Sequence, residues 1–461
     1  MKDILLIMSD QHGQAYMQME DGRIRTPHMM RIAEEGLSFS HCYCNAPLCV
    51  PSRMSFLSGK MPGELQIFNN DTTLPIDMPT IAHAMGIRGY HTVLAGRMHF
   101  KGDDQNHGFD ERLVGDITSQ YWGTGGKQRT DFGAYTGTSN RKHCLEVVGG
   151  GYSPVMAYDE AVFQAAIECL EKEHEEPLFL VVGFYGPHFP FTCEPSLYRH
   201  YKGLLGEEEL TALDCEDEYL EYRQTFTMEK ARNCKAAYYG QVETLDGYVG
   251  RLYDKFRQRS REQLFIYVSD HGEQLGKHGI FGKQTLYQES VRVPLLVAGT
   301  GVGPGTRHGQ VSLLDVSKTI LAEAGADGSW HRGTAISLDK EEEPRPPVVI
   351  QQMLDLGGEN TALAEAVIRV PFKAVKIGDA VRVYRLGENG EEELCTSKEG
   401  QEFLTEAMAC FTSDDIVRKY IRQELELRKQ HDILKQWGKA KKPPEPARMP
   451  IPECAREMPM E

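Results

Sequence analysis

Ile7-Met8-Ser9-Asp10-Gln11-His12-Gly13 and Tyr267-Val268-Ser269-Asp270-His271-Gly272 lie far apart in the chain but share one pattern. In each, an apolar run stops abruptly at Ser-Asp and passes straight to an amide or an imidazole. Ligands of an open α/β sheet bind outside the carboxyl ends of its strands, so two matched ends of this kind bring four donors to one edge. Oxygen and nitrogen donors in that mixture suit a divalent metal, with Asp10, Gln11, Asp270 and His271 as the expected ligands. The plainer alternative, an Asp that caps the following helix, explains either end alone better than it explains the pair.

Working outward from these ends, the runs 4–8, 92–95, 178–184 and 264–268 are β-rich and apolar on both faces, as buried strands are. Between them, Ala157 to Glu173 carries Ala161, Val162, Ala165, Ala166, Cys169 and Leu170 at helical spacing, and Glu229 to Phe256 carries an apolar and tyrosine stripe. The alternation predicts an α/β fold, a sheet with helices on both faces. The charged, proline-bearing stretch Asp339 to Pro347 reads as a boundary between a catalytic domain, 1–345, and a small C-terminal domain, 346–461. In the latter, Val348–Leu354, Ala366–Val370, Phe372–Ile377 and Val381–Leu386 predict an antiparallel sheet, followed by a charged helix from Ser413 to Trp437. The last segment, Lys439 to Glu461, is expected to wrap a surface or a neighbouring subunit, which makes a homo-oligomer the expected assembly.

Sixty-seven acidic against 51 basic residues give a net charge of −16. That balance argues against nucleic acid or an anionic membrane as partner, while leaving room for a local cationic pocket. No apolar run approaches the roughly 20 residues of a membrane span. The N-terminus has no secretory pattern, and the 11 cysteines form no repeating framework. The expected compartment is therefore a reducing cytoplasm, and the expected substrate a small molecule.

Cys49-Val50-Pro51-Ser52-Arg53 is followed by Met54-Ser55-Phe56-Leu57-Ser58-Gly59. Pro51 suits a first helical turn, so Cys49 sits beside free N–H groups that favour an anion, with Arg53 one turn on. Spacing alone leaves a buried thiol as an equal reading. The motif resembles the signature of the type I sulfatases of the alkaline phosphatase superfamily, with Ser58 where Thr is usual. The resemblance implies a large mixed sheet flanked by helices, plus a smaller α+β domain. It also implies that a formylglycine-generating maturation enzyme oxidises Cys49, and that the residue joins the metal site. One hydroxyl of the hydrated aldehyde then attacks sulfur and expels the alcohol, and the other lets the sulfated diol collapse to aldehyde and sulfate. Gly96-Arg97-Met98-His99-Phe100 is similar to the family's Gly-Lys-x-His. By that match His99 acts as base on the diol, and Arg97 keeps the charge of the usual Lys but not its compact ammonium. Pro187-His188-Phe189-Pro190 resembles Pro-His-x-Pro, which gives His188 the leaving oxygen. Gly282-Lys283, before Tyr287 and Glu289, matches the segment whose Lys contacts sulfate, and Arg53 joins Lys283 in clamping the anion. Asn69 or Asn70 also reaches the anion, while His12, His107 and His278 are expected to be supporting or structural.

Many sulfatases have two acids at the first strand end and Asp-Asn at the later one. Asp10-Gln11 and Asp270-His271, with Asp104-Gln105-Asn106-His107-Gly108-Phe109, resemble instead the branch of choline sulfatases and phosphonate monoester hydrolases. The exchange makes the site one unit more positive, so phosphonate monoesters and phosphodiesters are the alternative substrates. Calcium is the ion usual in the family, and the imidazole adds manganese as a second candidate. The substrate is expected to be a small anionic sulfate ester. Choline sulfate, with a cage from Tyr121, Trp122 and Trp330, and a sulfated sugar both fit. Without maturation of Cys49, the chain becomes a non-catalytic oxyanion binder.

Overall fold

Strand β1 (Asp3–Asp10) is apolar on both sides because a core lies on each face of its sheet. Ile4, Leu6 and Met8 enter one cluster with Phe179, Val181, Leu264 and Ile266, whereas Leu5 and Ile7 enter another with Leu180, Val182, Phe265 and Tyr267. The period of two in side-chain direction produces that split. The protein is described by a computed structural model over residues 1–123, 144–206, 215–339, 344–356, 360–388 and 390–441.

Among the described residues the main sheet has eight strands: β1, β2 (Leu37–Phe39), β3 (His91–Gly96), β4 (Glu111–Val114), β5 (Leu178–Pro187), β6 (Gln263–Ser269), β7 (Leu295–Gly299) and β8 (Gly305–Arg307). Their order is β8-β2-β7-β6-β1-β5-β3-β4. β6, β1, β5, β3 and β4 run parallel, and β7 pairs antiparallel with β6, so the sheet is mixed. One face is covered by α1 (Pro27–Glu35), α3 (Pro154–Glu171) and the second half of α4 (Met228–Phe256). The other is covered by α2 (Cys49–Ser58) and α5 (Leu313–Ala324).

A second, antiparallel sheet follows: β9 (Val348–Asp355), β10 (Thr361–Arg369), β11 (Phe372–Ile377), β12 (Ala380–Leu386) and β13 (Glu392–Leu394). Helix α6 (Lys398–Met408) packs on β11 and β12, and α7 (Asp414–Lys441) packs on β10. Ile350, Ala364, Ala366 and Ile368 belong to the same apolar cluster as Leu6 and Val50, so one core continues from the main sheet into the second. The expected wrapping segment lies, from residue 442 on, outside the described residues, as do 340–343 of the expected boundary. No helix among the described residues is long and apolar enough to cross a membrane.

Candidate active site

Four neighbouring parallel strands, β6-β1-β5-β3, end at one edge of the sheet and deliver the polar residues there. β6 delivers Asp270 and His271, β1 delivers Asp10 and Gln11, β5 delivers His188, and β3 delivers Arg97 and His99. Helix α2 brings Cys49 and Arg53 to the same place. Gln11 and His99 hold left-handed backbones, with φ of 71° and 64°. That conformation is costly away from glycine and recurs where a side chain must be aimed.

Asp10, Cys49, Asp270 and His271 each present a ligand atom, all four within 4.8 Å of one another, and all four residues are buried. His271 Nε2 lies 3.2 Å from Cys49 Sγ, 3.7 Å from Asp10 Oδ1 and 3.6 Å from Asp270 Oδ1. Its Nδ1 lies 3.1 Å from the Gly272 carbonyl, a bond that needs the proton on Nδ1 and so leaves Nε2 a lone pair for an ion. Behind the carboxylates, Arg53 donates from Nε to Asp270 Oδ2 (2.8 Å) and from Nη2 to Asp10 Oδ2 (3.4 Å). The outer oxygens are thus neutralised while the inner ones converge, a donor set that fits a hard divalent cation.

Arg53 is fully buried, and its remaining hydrogen bonds go to the carbonyls of Arg97 (2.9 Å) and Ser9 (3.3 Å), so it fastens the two carboxylates to each other. The Lys283 ammonium meets Gln11 Oε1 and lies 4.9 Å from the centre of the Phe189 ring. Burial and Asp10 push the Cys49 thiol up, but Lys283 and His271 outweigh them and hold it below its ordinary value. Burial likewise opposes ionisation of Asp10, yet Arg97, His188, Arg53 and Lys283 together hold its carboxyl well below the usual range.

Arg97 spans more than an ammonium can. Nε meets Asp10 Oδ2 at 2.5 Å, Nη1 meets Asp116 Oδ1 at 3.1 Å and Nη2 meets His99 Nδ1 at 2.9 Å. A guanidinium only donates, so His99 Nδ1 accepts and the ring proton sits on Nε2. His99 thus presents an N–H on Nε2. Burial and Arg97 both lower its pKa, which keeps the ring neutral. His188 lies with Nε2 4.0 Å from Asp10 Oδ1 and Nδ1 2.6 Å from the Phe189 carbonyl; burial and Lys283 lower its pKa too.

Two carboxyls escaped the sequence reading. Asp116 holds Arg97 and accepts from the His99 backbone N–H at 2.6 Å. Glu273, fully buried, meets the Gln11 side-chain amide and accepts from the Gly282 (2.6 Å) and Leu275 (2.7 Å) N–H groups; burial pushes it up to about 7. Gln11 is thereby held between Lys283 and Glu273, and the extra positive unit inferred from its neutral amide is partly offset. The two asparagines separate: Asn70 Oδ1 accepts from the Val50 N–H at the start of α2 (3.0 Å), whereas Asn69 turns to Glu424 of α7 (2.8 Å). His12 is structural, set against Tyr267 and the Tyr16 carbonyl, while His107 packs on Phe100 and His278 on Tyr287. Trp330 donates from Nε1 to the Ser58 carbonyl at the far end of α2, about 13 Å along the helix from Cys49.

The sulfatase family model matches residues 2–326. The chain is 32% identical over 354 residues to a choline-sulfatase of Rhizobium meliloti (strain 1021), covering 70% of this chain and 67% of that protein. It is 26% identical to arylsulfatase K of Xenopus laevis, with 70% and 63% covered. Among solved structures, the phosphonate monoester hydrolase of Agrobacterium radiobacter superposes with a TM-score of 0.68 at 18% identity, covering 94% of this chain and 96% of that one.

Proposed function

The chain belongs to the sulfatase family, and from that membership we propose that it hydrolyses the sulfate ester of a small molecule through a formylglycine formed from Cys49. The observation that carries the reading is the position of the Cys49 sulfur inside the ligand cluster, within 3.7 Å of Asp10 Oδ1 and 3.2 Å of His271 Nε2. In the matured side chain, oxygen functions take the place of that sulfur. Asp10, Asp270 and His271, with residue 49, would hold a divalent metal, calcium or manganese, and Gln11 lies beside them. When bound there, the metal supplies the charge that acidifies a hydroxyl at residue 49 and draws in the sulfate oxygens.

The chain's own groups do the rest. Lys283 pairs with the anion and, while the site is empty of substrate, rests on Gln11. Arg97 and Asp116 hold His99 so that its Nε2–H donates to the oxygens on residue 49. His188 is neutral in the empty site; an incoming anion favours its protonated form, which then passes a proton to the departing alcohol. The phosphonate alternative draws on the neutral Gln11; Glu273 against that amide offsets part of the added positive charge.

The test compares one aryl alcohol esterified as sulfate and as phenylphosphonate, using protein co-expressed with a formylglycine-generating enzyme. Faster sulfate release is expected, with loss of roughly 10³-fold or more in Cys49→Ala. Full activity in that variant sinks the mechanism, and faster phosphonate cleavage moves the chain to the alternative.

A further inference from the structure

Two buried polar side chains on the helices behind the main sheet cost the fold more than they return to it. Asp159 of α3 is 8% exposed, forms no ion pair among the described residues, and burial pushes its carboxyl up to about 7. Gln241 of α4 is 7% exposed, and its Oε1 has no hydrogen-bond partner among the described residues. A buried carboxylate without a counter-charge and a buried acceptor without a donor both oppose folding, and apolar side chains of like size would spare that cost. Such breaches of a local rule are expected where function requires them.

What these groups reach is one short segment. Asp159 Oδ1 accepts from the Tyr185 N–H (2.7 Å) and Oδ2 from the Gly186 N–H (2.8 Å). Gln241 Nε2 donates to the carbonyls of His188 (3.4 Å) and Pro190 (3.2 Å). Both of its partners are acceptors, so the amide nitrogen has to face them and the oxygen is left over. The chain is thus gripped on either side of the His188 ring. Between the grips, Tyr185 Oη donates to the Phe189 carbonyl (3.2 Å), the same carbonyl that fixes His188 Nδ1. Side-chain packing does not fully back the segment: a cavity of about 50 Å³ lies behind it, with Val155, Asp159, Gly186, Gln241 and Leu245 in its wall. Hydrogen bonds stand in for contacts there.

We propose that Asp159 and Gln241 are positioning residues for His188, holding its Nε2 toward the oxygen of the departing alcohol; the inference rests on the sulfatase reading above, in which His188 supplies that proton. As the S–O bond breaks, the proton on Nε2 passes to the alcohol oxygen and the imidazole returns to its neutral form. A small shift of the segment leaves the metal ligands and the nucleophile in place and lengthens this one transfer. The loss then follows the need of the leaving alcohol for a proton. 4-Nitrophenol departs readily as its anion, whereas phenol is the weaker acid and depends more on protonation.

The test uses the full chain, matured at residue 49 and supplied with calcium, on phenyl sulfate and 4-nitrophenyl sulfate. In His188→Ala, kcat on phenyl sulfate is expected to fall about tenfold more than kcat on 4-nitrophenyl sulfate. In Asp159→Asn and Gln241→Met, the ratio of kcat on phenyl sulfate to kcat on 4-nitrophenyl sulfate should fall at least about fivefold, with KM little changed. An Asn can accept from one of the two N–H groups but sets its own NH2 against the other. Met removes the leftover oxygen of Gln241, so the unfolding temperature of that variant should match or exceed wild type, and it carries the test if Asp159→Asn does not fold. A smaller fall in the ratio in a folded variant, even where both rates drop together, overturns the proposal for that residue. An unchanged ratio in His188→Ala with Cys49-dependent turnover intact overturns this inference alone, whereas no Cys49-dependent turnover of either ester overturns the sulfatase reading as well.

Discussion

Asp116 shows how much a single carboxyl can decide without touching the reacting atoms. Its two oxygens fix the Arg97 guanidinium and the backbone of His99, and through them the tautomer that His99 presents. Asp116→Asn keeps the shape but weakens both bonds, and groups that orient a catalytic shell commonly cost about 10–100-fold when changed. We expect a fall of that size in kcat with KM nearly constant; an unchanged kcat would show that His99 needs no such support. Asp10, Cys49, His188, Lys283 and Asp270 were legible in the sequence because each stands at the end of an apolar run or within a family motif. Asp116 was not, since Gly115-Asp116-Ile117 has no pattern of its own and its partners come from another strand end. Glu273 left a faint signal: the polar run continues two residues past His271 into buried territory.

At the scale of elements, the close spacing of β3 and β5 puts Arg97 where it is. Gly183 on β5 faces the chain leaving β3, and a Cβ there would lie 1.9 Å from the Arg97 carbonyl oxygen, which itself accepts from Arg53. Gly183→Ala should therefore destabilise the protein by roughly 1–3 kcal/mol, read from urea unfolding. Equal stability would show that the strand ends can part without cost. The central strands were legible because they are apolar on both faces. β10 was caught only in its second half: Thr361 to Glu365 holds two small alanines and a polar residue at each end, and Glu365 is buried because Gln351 and Thr412 satisfy it. The three-residue strands β2 and β8 are too brief to signal themselves.

Over the whole molecule, one apolar cluster joins the main sheet to the second, so events at the strand ends are tied to global stability. Chelation should lower the unfolding temperature by roughly 5 °C, and calcium or manganese should restore it. No shift would mean that the carboxylates are held by Arg53 and Arg97 alone. The second sheet and the charged helix were readable from the sequence, but the docking of that helix on Asn69 and Asp71 was not, because a solvated charged face and one that pairs with a loop have the same composition.

The burial of residue 49 also sets a schedule. Its side chain is 1% exposed and sealed by Asp270 and His271, which lie about 220 residues further along the chain. Any enzyme that must grip the segment in extended form has access only until those residues emerge and pair with β1. At roughly 5–20 residues per second of synthesis, that interval is about 10–45 s. On the formylglycine reading proposed above, production of active protein is a race between oxidation and closure, and slowing translation downstream of residue 49 should raise the fraction converted.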